Sequence, residues 1–193
     1  MKKTLVILAL AMISFANAQK GTVLVSGNVE FYSQKLSNQP NDSRNKFISF
    51  YPKVGYQFKD NWTVGIESGF SSAKNEYTDQ ESISKSFTAG AFVRYSKSLS
   101  PMFLLYADLG AGYQNRKVTD TYALQPISTI KFDGVYMNLT PGLFLNIKNN
   151  FGLNFSIGGL LYSDTKNNQT NGSNQYFYFN FGKSFTAGIS KNF

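Results

Sequence analysis

The sequence predicts an all-β protein: an eight-stranded antiparallel up-and-down transmembrane β-barrel, preceded by a cleaved signal peptide. Three observations predict this fold. Apolar residues alternate with small or polar residues along most of the chain, which is the period of a strand with two different faces. Short and long polar segments alternate between these stretches. The last stretch runs to the final residue and ends on an aromatic, Phe193, as the closing strand of a membrane barrel does.

The amino terminus has the pattern of a secretory signal peptide. A basic start with Lys2 and Lys3 precedes an apolar run from Leu5 to Phe15, and Ala16-Asn17-Ala18 forms a small-residue cleavage site. The apolar run is too short to cross a bilayer as a helix. We expect cleavage after Ala18, so that residues 1–18 are the signal peptide and residues 19–193 form one barrel domain.

Eight segments are expected to be strands, in the order Gly21–Ser33, Phe47–Phe58, Trp62–Ala73, Ser84–Tyr95, Met102–Gln114, Ile130–Ile147, Phe151–Ser163 and Tyr176–Phe193. The first alternates least clearly. The fifth places Leu105 and Leu109 on one face and Asp108 and Gly110 on the other. In the seventh, the apolar face is expected to hold Phe151, Leu153, Phe155, Ile157 and Leu161.

The connections between these strands are predicted to alternate in length. Three are short, namely residues 59–61, 96–101 and 148–150. Four are long and rich in Asn, Ser, Gln, Thr and Asp, and we interpret them as extracellular loops: Gln34–Lys46, Lys74–Ile83, Asn115–Thr129 and Asp164–Gln175. Short periplasmic turns opposite long extracellular loops are typical of outer-membrane barrels. An even number of strands then places both termini on the periplasmic side.

The composition of the two faces indicates which one meets lipid. One face is crowded with Gly, Ser, Asn and Thr, which fit the narrow interior of an eight-stranded barrel. The bulky apolar face therefore points to lipid, and at the short-turn ends it carries an interfacial girdle of Phe58, Trp62, Tyr95, Phe103 and Phe151. Pro52 and Pro141 lie within strands, where each removes a ladder hydrogen bond, so we predict a bulge or a broken ladder at both.

Four charged residues are predicted to share the interior. Lys53 and Glu67 are equidistant from the centre of the turn at residues 59–61, so they should face each other across the hairpin. Asp108 falls at a similar height, and Arg94 lies slightly lower. These residues form either a gate that closes a narrow pore or a structural network of paired charges, and we favour the structural network because buried charges must be paired.

The composition argues against catalysis and cofactors. The chain contains neither His nor Cys, which excludes disulfides, thiolate metal sites and a His-activated nucleophile. No metal-binding or phosphate-loop pattern is present, so we expect no catalytic, cofactor-binding or metal residues. The net charge of +8 falls to +6 without Lys2 and Lys3. The basic residues look scattered, so the sequence predicts no basic stripe and no nucleic-acid partner.

The signal peptide, strand count, loop alternation and aromatic terminus resemble those of the small bacterial outer-membrane β-barrels, the family that includes OmpX, OmpW and the transmembrane domain of OmpA. The resemblance covers the whole mature chain. Within it, Phe185, Ile189 and Phe193 look like the barrel assembly signal of the last strand. The resemblance implies an integral protein of the Gram-negative outer membrane, with membrane lipid, lipopolysaccharide and the barrel assembly machinery as its partners.

The family includes structural anchors, adhesion and serum-resistance factors, and small channels for apolar molecules. The resemblance therefore favours a non-enzymatic barrel whose long extracellular loops serve surface interaction, adhesion or envelope integrity, and an extracellular partner is expected to bind these loops. The alternative is a small porin-like transport barrel for ions or small apolar solutes. A soluble periplasmic β-protein is a third and more distant interpretation.

Overall fold

The computed structural model describes residues 21–38, 41–123, 125–170 and 172–193, and the expected signal peptide lies outside them. Eight strands make up nearly all of this part of the chain. None of the described residues belongs to a helix long and apolar enough to cross a membrane. The strands are β1 (Val23–Asn38), β2 (Asn41–Lys59), β3 (Trp62–Tyr77), β4 (Gln80–Ser98), β5 (Phe103–Tyr122), β6 (Gln125–Lys148), β7 (Phe151–Asn167) and β8 (Ser173–Asn192).

The strands form one closed barrel in sequence order, and each is antiparallel to the next. β1 and β8 close it through the pairs from Leu24–Asn192 to Gly27–Ile189. Two backbone hydrogen bonds between Val23 and Phe193 extend this seam to the last residue. The end of the barrel that holds both termini is called the terminal end below, and the opposite end is called the hairpin end.

Outward-facing apolar side chains form a belt around the barrel, here called the apolar band. On β3 it runs from Trp62 to Phe70, on β4 from Phe87 to Tyr95 and on β5 from Phe103 to Tyr113. Each run is about 9–11 residues long, which is the length that a tilted strand needs to cross the hydrocarbon of a bilayer. The strands themselves are 16 to 24 residues long, so each extends well beyond the band.

The expectation of four long loops was wrong, because most of the described residues in these segments continue the strands. β3 and β4 pair as far as Tyr77 and Gln80, which leaves only Thr78 and Asp79 to make the turn. β5 and β6 likewise pair as far as Tyr122 and Gln125. Beyond the apolar band both faces of a strand meet polar surroundings, so the alternation that identifies a strand is lost. Asn, Ser and Thr then give these strands the composition of loops.

The turn between β6 and β7 shows how local chemistry fixes a hairpin register. Lys148 pairs with Phe151, and the two residues between them, Asn149 and Asn150, have φ angles of 50° and 56°. A two-residue hairpin turn with positive φ at both positions matches the twist of the strands, and Asn tolerates this conformation better than most residues.

The irregularities expected at the two prolines are confirmed. The β2–β3 ladder is interrupted between the pairs Phe50–Phe70 and Lys53–Glu67, with Pro52 inside the gap. At Pro141 the β6–β7 register shifts between the pairs Leu139–Leu160 and Gly142–Ser156. Because β7 has one extra residue here, the side chains beyond this point lie on the opposite face from the one that strict alternation would give.

This reversal changes the position expected for Leu161. Leu161 pairs with the lumen residue Asn138, whereas the neighbouring Tyr162 pairs with the outward-facing Met137. The expectation that Leu161 shares a face with Ile157 was therefore wrong. Gly158 and Gly159, with φ angles of 100° and 154°, provide the backbone conformation that the bulge needs.

Candidate lumen charge network

Lys53, Glu67, Arg94 and Asp108 lie together in the barrel interior, each on a different strand from β2 to β5. Lys53 pairs directly with Glu67, and Arg94 pairs directly with Asp108. Each of these residues is on the same face of its strand as small or polar neighbours, as the alternation requires. The relative exposures of Glu67, Arg94 and Asp108 are 8%, 6% and 2%, so their charges are almost fully removed from solvent.

Asp108 joins the two cations of this cluster. The Arg94 guanidinium donates two hydrogen bonds to its carboxylate, from Nε to Oδ1 at 2.6 Å and from Nη2 to Oδ2 at 2.9 Å. Lys53 Nζ donates to Oδ2 at 3.1 Å. Since β2 and β5 are not neighbours in the barrel, the contact between Lys53 and Asp108 crosses the lumen.

Glu67 forms the second crossing of the interior. Its Oε2 lies 2.7 Å from Lys53 Nζ, and its Oε1 accepts hydrogen bonds from Tyr136 Oη at 2.8 Å and Asn138 Nδ2 at 3.3 Å. Tyr136 and Asn138 come from β6, on the opposite wall from β3. These six residues are called the charge network below. It is electrically neutral, because its two cations match its two carboxylates.

Aromatic rings lie against both cations of the network. Lys53 Nζ is 5.1 Å from the centre of the Phe92 ring, and Arg94 Cζ is 4.1 Å from the centre of the Tyr106 ring. Both distances are in the range of cation–π attraction. Phe92 and Tyr106 are buried and lie one step nearer the terminal end than Lys53 and Asp108. The interior on that side is filled further by the buried side chains of Leu24 and Phe144.

On the other side of the network the interior is open. A cavity of about 510 Å³ lies directly against Lys53 and Glu67, and a second cavity of about 300 Å³ continues it towards the hairpin end through Thr88 and Gln114. We call these two cavities the vestibule. Amide and phenol groups contribute to its lining, including those of Asn28, Tyr51, Asn138, Tyr178 and Asn180.

Sequence reasoning missed the partners that complete the network. Tyr136 and Asn138 are on the polar face of the sixth strand, which was a signal that two hydrogen-bonding side chains point inward. Nothing in the sequence indicated that they would meet Glu67, because that contact depends on closure of the barrel. Phe92 was the other omission. Its inward position breaks the small-and-polar pattern of the lumen face, and its closeness to Lys53 explains the exception.

The girdle residues occupy the rim of the apolar band at the terminal end. Phe58, Trp62, Tyr95, Phe103 and Phe151 are all exposed there, and Trp62 contacts Tyr95 with ring centres 5.0 Å apart. In the last strand, Ile189 faces outward and Phe193 bonds to Val23 through its backbone. The side chain of Phe185 lies outside those that the structure describes. Among the described residues, no group of three acidic side chains is arranged to hold a metal ion.

The closed antiparallel barrel, its apolar band and its paired interior charges define a membrane protein that crosses the bilayer with strands. The chain matches the family model described as "Outer membrane protein beta-barrel domain" over residues 4–185, and it belongs to that family. It is therefore a β-barrel protein of the Gram-negative outer membrane.

A comparison with solved structures matched several outer-membrane proteins. The attachment invasion locus protein Ail of Yersinia pestis, in complex with the heparin analogue sucrose octasulfate, is 15% identical, with 90% of this chain and 99% of that chain covered and a TM-score of 0.45. Neisserial surface protein A is 16% identical, covering 91% and 98%, with a TM-score of 0.46. The translocator domain of autotransporter NalP from Neisseria meningitidis is 12% identical, covering 98% and 67%, with a TM-score of 0.46. A search of curated proteins found no match.

Proposed function

We propose that this protein is a non-enzymatic outer-membrane barrel that acts at the cell surface, in adhesion or in maintaining the envelope. In this proposal the hairpin end faces the outside and both termini lie in the periplasm. The observation that carries the proposal is the length of the strands beyond the apolar band. On β5 the chain continues from Tyr113 to Tyr122, which is roughly 30 Å of extended strand. A barrel that served only as an anchor would need no such extension.

The state of the lumen supports a role at the surface rather than in ion passage. The charge network crosses the interior twice, and Phe92 and Tyr106 fill the space next to it. An eight-stranded barrel is narrow enough for side chains to fill it, so a resting aqueous pore is not expected. The protruding hairpins and the open vestibule are then the surfaces left for contact with a partner.

Shortening two hairpins tests the proposal. Replacing residues 74–83 by Asn-Gly joins Ala73 to Ser84, and replacing residues 119–129 by Asn-Gly joins Val118 to Ile130; both junctions connect residues that already pair. Cells that display the shortened barrel should lose attachment to an epithelial monolayer if the role is adhesion. They should become sensitive to detergent and vancomycin if the role is envelope integrity.

The control for this experiment changes the terminal end instead. Replacing Asn149-Asn150 by Asn-Gly keeps a two-residue turn and should leave both properties unchanged. If the shortened barrels reach the membrane in normal amounts and neither attachment nor resistance changes, the proposal is wrong. Protease treatment of intact cells, followed by mass spectrometry, reports separately whether the hairpin end faces outward.

The transport of small apolar solutes is a second candidate, favoured by the seam of the barrel. Within the described residues, the ladder between β1 and β8 runs only from Leu24–Asn192 to Gly27–Ile189, although both strands continue far beyond it towards the hairpin end. The vestibule is lined near this seam by Asn28 and Thr186. A solute that entered the vestibule from the hairpin end could therefore leave sideways into the bilayer.

A reversible cross-link distinguishes this second candidate. The chain contains no Cys, so Val29→Cys with Ala187→Cys, the positions that would pair if the seam ladder continued, introduces a single disulfide. If the seam is a port, oxidation should abolish the passage of a fluorescent fatty acid into proteoliposomes, and reduction should restore it. The Val29→Cys variant alone is the control. Equal passage in the oxidised and reduced states would reject the seam as a route.

A further inference from the structure

Three lysines from three adjacent strands form a row on the outer wall of the barrel. Lys85 on β4 pairs directly with Lys117 on β5, and Lys117 pairs directly with Lys131 on β6. All three are exposed. We call this set the lysine row. The expectation that the basic residues form no stripe was therefore wrong, because the registers of two hairpins bring together positions that are far apart in the sequence.

In the described part of the chain, the three lysines of the row form no direct ion pair. No carboxylate oxygen there lies within 4.0 Å of any of the three ammonium groups. Asp133 is two residues from Lys131 on the same face, but its carboxylate accepts hydrogen bonds from Tyr113, Asn115 and Asn168 instead. Like charges directly opposite each other in a sheet destabilise it. Asp133 still attracts Lys131 through space, so the row is a site of positive charge that has a nearby carboxylate at one end and no direct ion pair.

Lys74 on β3, which is also directly opposite a lysine, Lys46, differs from the row in having acidic neighbours. Lys74 Nζ lies 2.7 Å from Glu76 and 2.8 Å from Glu81. The hydrogen bond from the Lys74 ammonium lowers the pKa of the Glu76 carboxyl. Beyond the apolar band, a carboxylate within ion-pair distance of a lysine is therefore present in this chain, and the lysine row lacks one.

The height of the row on the barrel indicates what faces it. On β4, Phe87 is the last apolar residue of the band in the direction of the hairpin end. Lys85 is the next outward-facing residue in that direction. On β5, Lys117 follows Tyr113 with only Asn115 between them on that face. Lysines just beyond the hydrocarbon lie at the level of the lipid headgroups, where their ammonium groups attract anionic lipid.

We infer that the lysine row binds the phosphate groups of an anionic lipid headgroup in the leaflet at the hairpin end. Adjacent strands are about 4.8 Å apart, so the row spans roughly 10 Å and can contact more than one phosphate of the same molecule. A multiply phosphorylated glycolipid such as lipid A fits this arrangement better than a zwitterionic phospholipid. The inference rests on the orientation in the proposed function, with the hairpin end outside, because lipid A belongs to the outer leaflet; it does not depend on a role in adhesion or envelope maintenance.

The test compares two variants with the same change in charge. In the row variant, Lys85, Lys117 and Lys131 are each replaced by Gln; in the control variant, Lys59, Lys97 and Lys148 at the terminal end are replaced by Gln. Each protein is placed in nanodiscs of phosphatidylcholine with lipid A in both leaflets, so that orientation does not matter. Native mass spectrometry then measures the fraction of barrels that retain lipid A after release from the nanodisc.

We expect the row variant to lose lipid A binding at least tenfold, while the control variant binds as the wild type does. Replacing the three row residues by Arg instead should restore binding, because the charge is kept. Equal binding by the row variant and the wild type, or equal loss in both Gln variants, would overturn the inference. If inorganic pyrophosphate displaces lipid A completely at the lipid's own concentration, the row recognises free phosphate and the lipid assignment is wrong.

Discussion

Within the charge network, Asp108 accepts hydrogen bonds from both cations, Arg94 and Lys53. Glu67, by contrast, forms an ion pair with one cation, Lys53, and otherwise accepts hydrogen bonds from the neutral donors Tyr136 and Asn138. Loss of Glu67 therefore leaves Lys53 with Asp108 as a partner, but loss of Asp108 leaves the buried Arg94 guanidinium without a carboxylate. Removing one partner of a buried ion pair costs more than the pair contributes.

The substitution Asp108→Asn should therefore destabilise the barrel by about 3–5 kcal/mol, and Glu67→Gln should cost clearly less. Urea unfolding of the refolded protein in detergent micelles measures both. The double variant Arg94→Met with Asp108→Leu is the control, since it removes both charges and should recover much of the loss. Equal stabilities of Asp108→Asn and the wild type would show that the geometry seen here does not persist in micelles.

At the scale of single residues, the sequence predicted the contacts within a hairpin but not the contacts across the barrel. The position of Lys53 opposite Glu67 follows from the turn at residues 59–61, because strand period and turn centre together fix the register. The contact between Lys53 and Asp108 depends on the curvature that brings β2 to face β5 across the lumen. Curvature is a property of the closed sheet, and no local pattern encodes it.

At the scale of single elements, the β6–β7 turn depends on two residues with positive φ. A β-branched residue at either position is strained, because the left-handed conformation places its side chain too close to the backbone. We expect Asn150→Val to destabilise the barrel by about 1–2 kcal/mol. Asn150→Gly should be at least as stable as the wild type, because Asn-Gly is the preferred pair for this turn. Urea midpoints that do not separate the two variants would contradict the turn assignment.

The lysine row leads to a second prediction, which concerns the stability of the sheet. Lys117 faces a lysine on each side, so Lys117→Gln should stabilise the barrel in neutral micelles by about 0.2–1 kcal/mol for each like-charge contact relieved. High salt should remove the difference, because exposed charges are screened. Thermal unfolding at low and high ionic strength measures this. Lys59→Gln, whose cross-strand partner is Trp62, serves as the control and should show no gain.

The strands also show where the alternation of apolar and polar residues stops predicting strand structure. The alternation within the apolar band predicted the strand cores, because one face meets lipid and the other meets the lumen. Past Phe87 on β4 and Tyr113 on β5 this contrast ends, and the extended chain was mistaken for loops. The lysine row lies in these misassigned segments. Its residues could not be aligned without the hairpin registers. The sequence analysis therefore did not predict a basic stripe, although all three lysines are present in the sequence.

For the whole molecule, the question is whether the filled half of the lumen closes the barrel. The charge network and the buried rings beside it occupy the interior between the vestibule and the terminal end. We expect the wild type to give no discrete conductance steps in a planar bilayer. The double variant Lys53→Ala with Phe92→Ala removes two groups, namely the ammonium that joins both crossings and the ring packed against it. This variant should produce discrete conductance steps.

The matched control is Lys46→Ala with Phe87→Ala, which removes the same two residue types from the outer wall of the same two strands. It should remain silent, because it changes no side chain in the lumen. Heat-dependent migration in gel electrophoresis verifies that both variants are folded barrels. Steps in the wild type would mean that the network is a gate with an open state, and ion transport would replace surface interaction as the leading function. Steps in the outer-wall variant would mean that conductance reports membrane leakage around the barrel instead of passage through it.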